Sequence, residues 1–208
     1  DLGDSCGLRI LRNRRVVEIG AGQRSEEFSI ERDVFGHSGA LVLYKRRALN
    51  DVLLKTKNNP AGEYFDEDFF AYKEDADLAW RLIIAGWRSV FFPEAVAYHV
   101  RTLSGQEKIK FSQLRLIRQN QSATARYYSY RNQLLLLLKN EFSQNFWCDF
   151  WPIIWQEKKK GIYVLFFEWS SLPAWWDFVR LLPKMREKRK LILRHAKIGA
   201  AEMRKWFK

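Results

Sequence analysis

A chain of 208 residues, 47% hydrophobic and 29% charged, can bury a core and is neither a disordered tail nor a low-complexity tract. Two cysteines without a CxxC spacing, Cys6 and Cys148, exclude a disulfide scaffold and fit a reducing compartment. The net charge of +12 is unevenly placed: residues 1–107 hold 15 Lys and Arg against 17 Asp and Glu, and residues 108–208 hold 21 against 7, with seven of the nine tryptophans.

The opening DLGDSCGLRI has no basic segment followed by an apolar one, so no signal peptide is read. It also lacks an initiator Met, so the chain is expected to begin inside a longer protein. RRVVEIG (14–20) reads as a short edge or hairpin strand bounded by Gly20 and Gly22. SGALVLY (38–44) is a short apolar run suited to a strand buried on both faces. KRRALNDVLLK (45–55) carries Ala48, Leu49, Val52 and Leu53 at helical spacing, and KNNPAGEYF is expected to be a loop broken by Pro60 and Gly62. WRSVFFP and AVAYHV are expected to form two short strands around Pro93.

Between them lies FDEDFFAYKEDADLAWR (65–81), where six carboxylates occur between Asp66 and Asp77 among five aromatics. Leu78, Leu82 and Ala85 repeat at helical spacing, and Gly86 is placed to stop that helix. Glu74, Asp75 and Asp77 then occupy its first turn, where the helix dipole favours anions. Asp75 shares the face of Leu78, Ala79 and Leu82 and is expected to point inward, whereas Asp77 and Arg81, four apart, are expected to pair on the surface. Asp68 is expected to face solvent. These acids admit a plain reading as helix caps as well as a catalytic one.

The ordered set SGALVLYKRRAL, YFDEDFFAYKEDADLAWRLIIAGW, VFFPEAVAYHVR and YYSYRN resembles the C-terminal half of an inverting family 2 glycosyltransferase with a GT-A fold, of the rhamnosyltransferase-like kind. The resemblance covers about residues 1–140 and extends more loosely into the tail. It implies an α/β fold: residues 1–107 would be the acceptor-side, catalytic part of a Rossmann-like GT-A domain, and 108–208 a tail of amphipathic α-helices. Asp75 would be the base that deprotonates the acceptor hydroxyl, and Glu74 would orient the acceptor. Gly39, Ala40, Asp66, Glu67, Trp80, Arg81 and Arg101 would line the substrates, and His99 would ligate a divalent metal, Mg2+ or Mn2+, on the donor diphosphate. The implied partners are a UDP-, dTDP- or GDP-linked sugar donor and a glycan or lipid-linked acceptor. No DxD metal motif precedes residue 38, and Asp66-Glu67-Asp68 falls in the acceptor-side loop, so the chain is expected to be a fragment without the nucleotide-binding half.

The tail segments 126–140, 146–160, 161–183 and 184–208 are rich in Leu or aromatics and edged with Lys and Arg, but none is an uninterrupted apolar run of the ~18 residues that spanning needs. Helices lying on an anionic membrane surface fit this pattern, and so does an ordinary helix-bundle core. The expected location is the inner face of the plasma membrane, peripherally. Two other readings stay open: a non-catalytic membrane-associated remnant, and a basic nucleic-acid-binding module. The near-neutral first half and the lack of an RNA- or DNA-reading motif count against the last, so no nucleic-acid partner is expected.

Overall fold

The computed structural model describes residues 3–98, 118 and 121–208. Its first part is built of short antiparallel pairs: β1 (Leu8–Ile10) with β2 (Val16–Glu18), β3 (Arg32–Val34) with β6 (Ser89–Phe91), and β4 (Leu54–Thr56) with β5 (Asn59–Glu63). Two helices, α1 (Arg46–Asp51) and α2 (Glu74–Ile84), lie among them. The second part is helical: α3 (Ala123–Asn140), α4 (Ser143–Cys148), α5 (Phe150–Phe167), α6 (Pro173–Arg194) and α7 (Ala200–Arg204). The architecture is mixed α/β as expected. The parallel strands of a Rossmann-like sheet are not found among the described strands.

Helix α2 is the centre of the fold. Its expected stop holds: Gly86 takes φ +79°, and Trp87 N–H donates back to Leu82 C=O at 2.9 Å, closing the last turn. The spacing predicts one apolar face, yet every residue from Ala76 to Ile84 is buried. The second part supplies the missing cover. Trp80 packs edge-on against Phe35 and Phe207, with ring centroids 6.1 and 5.8 Å apart, and shares a core with Leu135, Leu136, Met185 and Met203. Strand β1 ties in the C-terminus, since Ile10 bridges to Phe207. The neutral first part and the basic second part therefore share a single core on either side of the charge boundary, which itself lies outside the described residues.

Two expectations about elements are corrected. SGALVLY is an exposed turn and coil, with Leu43 97% exposed, because no described strand lies beside it to pair with its backbone. KNNPAGEYF, rather than being a loop, supplies the turn and strand β5 of the β4–β5 hairpin. Pro60 is tolerated there because a two-stranded pair consists of edge strands only. Of the two strands expected around Pro93, Ser89–Phe91 forms as β6, and residues 95–98 are coil.

Candidate active site

The loop entering α2 is held in an uncommon backbone. Phe70, Tyr72 and Lys73 all have left-handed φ, at 59°, 67° and 73°. Each such non-glycine residue costs about 1–3 kcal/mol and persists only where neighbours enforce it. Here α3 enforces it. Asn132 Nδ2 lies 2.7–2.8 Å from the carbonyl oxygens of Phe69, Ala71 and Tyr72, and Arg131 donates to the Asp68 carbonyl.

Beneath the loop runs a buried ionic network. Asp66 caps the 3-10 turn Glu67–Phe69 by accepting the Asp68 N–H at 3.0 Å, and its carboxylate lies 2.5 Å from both Lys139 and Lys188. Burial pushes the Asp66 carboxyl up, but the two ammoniums outweigh burial and hold it below the ordinary carboxylate range. Lys139 also reaches Asp77 at 2.7 Å, and Asp77 receives Arg81 at 2.9 Å and Asn140 at 2.8 Å. Arg81 further donates to the Val52 carbonyl at 2.7 Å.

This network corrects several readings. Asp77 and Arg81 do pair, but in the interior, because α3 covers them. Asp66 is buried and structural rather than lining a cleft, and Asp68 is bound by Lys184 and Lys188 at 2.7 Å instead of facing water. Trp80 and Arg81 are sealed in the core and cannot touch a substrate. Glu67 remains exposed. His99 and Arg101 lie outside the described residues.

Glu63, Asp66 and Asp68 bring ligand atoms within 4.8 Å of one another, the spacing of a cation site. The Lys188 ammonium already sits among them, 2.5–2.7 Å from all three carboxylates, and supplies the positive charge. This cluster therefore does not fit the Mg2+ or Mn2+ that the resemblance implies.

What reaches the surface is the head of α2. Asp75 is half-buried, and its Oδ2 accepts the Gly39 N–H at 3.3 Å, so the exposed Gly39–Ala40 turn lies directly over the carboxylate. The structure thus brings together Gly39, Ala40, Glu74 and Asp75. A Cβ on Gly39 would meet nothing within 4 Å, leaving open space above the turn. Glu74 Oε2 is buried with no hydrogen-bond partner among the described residues. Burial raises the Glu74 carboxyl above its ordinary value; its own backbone N–H opposes, and the charges of Asp75 and Asp77 add.

Three neighbours escaped the sequence reading. Tyr44 packs against the Leu78 and Leu82 side of α2 and is pushed up to about 12, by burial first and then by the Asp75 charge. Lys73 is brought down to about 8 by burial and by the Lys160 ammonium, against the opposing charges of Asp75 and Glu157. Lys160, on α5, is lowered by burial although Glu157 is 3.9 Å away. The KED sequence was the available signal for Lys73. Nothing local pointed to Lys160, which arrives from 87 positions further along the chain.

Two curated proteins are similar to part of the chain: the N-acetylglucosaminyl-diphospho-decaprenol L-rhamnosyltransferases of Mycobacterium tuberculosis strains CDC 1551 / Oshkosh and ATCC 25618 / H37Rv. Each is 42% identical over 69 residues, which is 33% of this chain and 19% of the relative. No family model matches the chain, and no solved structure matches it significantly. Over that stretch the chain is a partial homologue of a glycosyltransferase, which supports transferase chemistry.

Proposed function

We propose that this chain carries the acceptor side of an inverting glycosyltransferase, which moves a sugar from a nucleotide donor to a lipid-linked glycan at the cytoplasmic membrane face. The observation that carries the reading is the half-buried Asp75 at the head of a rigid, fully packed helix, under the open Gly39–Ala40 turn. The partial likeness to enzymes named for a diphospho-decaprenol substrate supports the lipid-linked acceptor. A UDP-, dTDP- or GDP-linked donor belongs to the same reading.

In this scheme Asp75 takes the proton of the acceptor hydroxyl. The freed oxygen bonds to the anomeric carbon from the face opposite the leaving group, and the sugar–phosphate bond breaks to release the nucleoside diphosphate. Glu74, half-buried beside Asp75 at the same helix head, is assigned the orientation of the acceptor. The buried lysine network keeps the strained loop, and with it Asp75, from moving. The test is incubation of the full-length protein with a panel of nucleotide sugars and a polyprenyl-diphosphate-linked acceptor. Product whose new linkage has the anomeric configuration opposite to the donor's supports the reading. Retained configuration, or no transfer from any donor in the panel, overturns it.

A further inference from the structure

The helical part exposes a run of large apolar side chains, and contiguous exposed apolar patches mark interaction sites. Trp147, Trp151 and Trp155 follow one another at four-residue spacing along α4 and α5 and are 69%, 77% and 62% exposed. Phe166, at the end of α5, and Trp169, in the turn after it, continue the surface, and Trp176 opens the same kind of stripe on α6. Further along that α6 stripe, at helical spacing, come Arg180, Arg186, Lys190 and Arg194, exposed in their turn. The two acids of α6 are engaged elsewhere: Asp177 accepts the Tyr127 hydroxyl and Glu187 the Lys57 backbone N–H. On α5 the exposed charges of the outer face are Lys158 and Lys159, while Glu157 and Lys160 turn inward.

We propose that the outer faces of α5 and α6, with the turn between them, dock on an anionic lipid bilayer and lie in its headgroup layer. Tryptophan and Phe beside Lys and Arg is the composition that settles at that depth. A protein partner fits less well, since protein interfaces are depleted in lysine. No described helix is long and apolar enough to cross a membrane, so the contact is parallel to the surface. The charge is complementary: residues 108–208 carry 21 Lys and Arg against 7 acids, and anionic lipid attracts such segments.

The inner side of α5 fixes what this contact accomplishes. Val164 is in the core, Gly161 lies against Tyr130 and Trp175, and Lys160 is close enough to Lys73 to lower its ammonium. Lys73 directly precedes Glu74 and Asp75. The inner side of α5 is thus joined to the loop that carries the acid pair through α3, whose Tyr130 lies against Gly161 and whose Asn132 holds the Ala71 and Tyr72 carbonyls. The docking itself does not depend on the sugar-transfer reading, because vesicle binding and turnover are separate readouts.

The experiment is co-sedimentation of the chain with phosphatidylcholine vesicles, with or without about one third phosphatidylglycerol, followed also by tryptophan emission. Expected are pelleting and a blue shift with the anionic vesicles, both weakened by salt. The triple variant Trp151→Ser/Trp155→Ser/Trp176→Ser should bind roughly tenfold or more weakly with an unchanged thermal melt. Failure of the wild-type chain to bind, or equal binding by the triple variant, overturns the proposal. So does displacement of the chain from vesicles by single-stranded RNA at physiological salt, which would assign the face to nucleic acid. A concentration-dependent dimer abolished by the triple variant would assign it to a second copy.

Discussion

Lys188→Met removes the ammonium that lies among Glu63, Asp66 and Asp68, and methionine refills the volume of the stem. Taking away one partner of a buried ion pair costs about 3–5 kcal/mol, because the remaining charge is left uncompensated. Asp66 keeps Lys139 at 2.5 Å and Asp68 keeps Lys184 at 2.7 Å, which places the expected loss at the lower end, about 3 kcal/mol. For a chain of this size that corresponds to a fall in Tm of roughly 6–12 °C. The effect has a defined pH dependence. In the wild type the folded Asp66 carboxyl lies below its ordinary value of 3.8, so its contribution is complete above that pH. It is lost as the pH falls through the lower folded value. The variant's stranded carboxylates accept protons more readily, so the Tm gap between wild type and variant should narrow as the pH drops below ~4. Thermal melts by circular dichroism at pH 7 and in that acid range measure both quantities. A gap under about 2 °C at pH 7, or one of equal size in acid, would refute the reasoning.

Asn132→Leu should leave the Ala71 and Tyr72 carbonyls without their donor, cost about 2–3 kcal/mol, and raise amide exchange at residues 70–73; unchanged exchange there would show that the left-handed run is held by something else. Gly36→Ala should destabilise by about 1–3 kcal/mol, because the new methyl would meet the Ala79 Cβ of α2 at 2.3 Å. Adding Ala79→Gly should recover part of that loss in the same denaturation experiment, and a double variant no more stable than Gly36→Ala would reject the contact as the cause.

How much of this was legible in the chain depends on the range of the interactions involved. Helix α2, its acidic first turn and its Gly86 stop are local features, and their spacing alone locates them. The SGALVLY run has the composition of a buried strand, yet pairing is decided by neighbours, and no described strand neighbours it. Asp66, Asp68 and Asp77 look solvent-facing in a sequence because their partners Lys139, Lys184 and Lys188 come from 62 to 122 positions further along the chain. Trp80 and Arg81, which the resemblance assigns to the substrates, are buried for the same reason: the cover over that side of α2 comes from the distant second part of the chain. Asp75 and Gly39 meet across 36 positions, and that approach was suggested by the family-like order of motifs, not by any local periodicity.

The central claim is that Asp75 is the base. Asp75→Asn preserves the side chain's shape and an oxygen able to accept the Gly39 N–H, but cannot take a proton at neutral pH. The deciding measurement is the turnover of the full-length Asp75→Asn variant on a nucleotide sugar and a lipid-linked acceptor, alongside its thermal melt. A fall in kcat of about 10²–10⁴-fold is expected, with Tm lower by no more than roughly 2–4 °C for the acceptor lost to the Ala76 N–H. Turnover within about threefold of wild type would contradict it and leave Asp75 as a helix-capping acid.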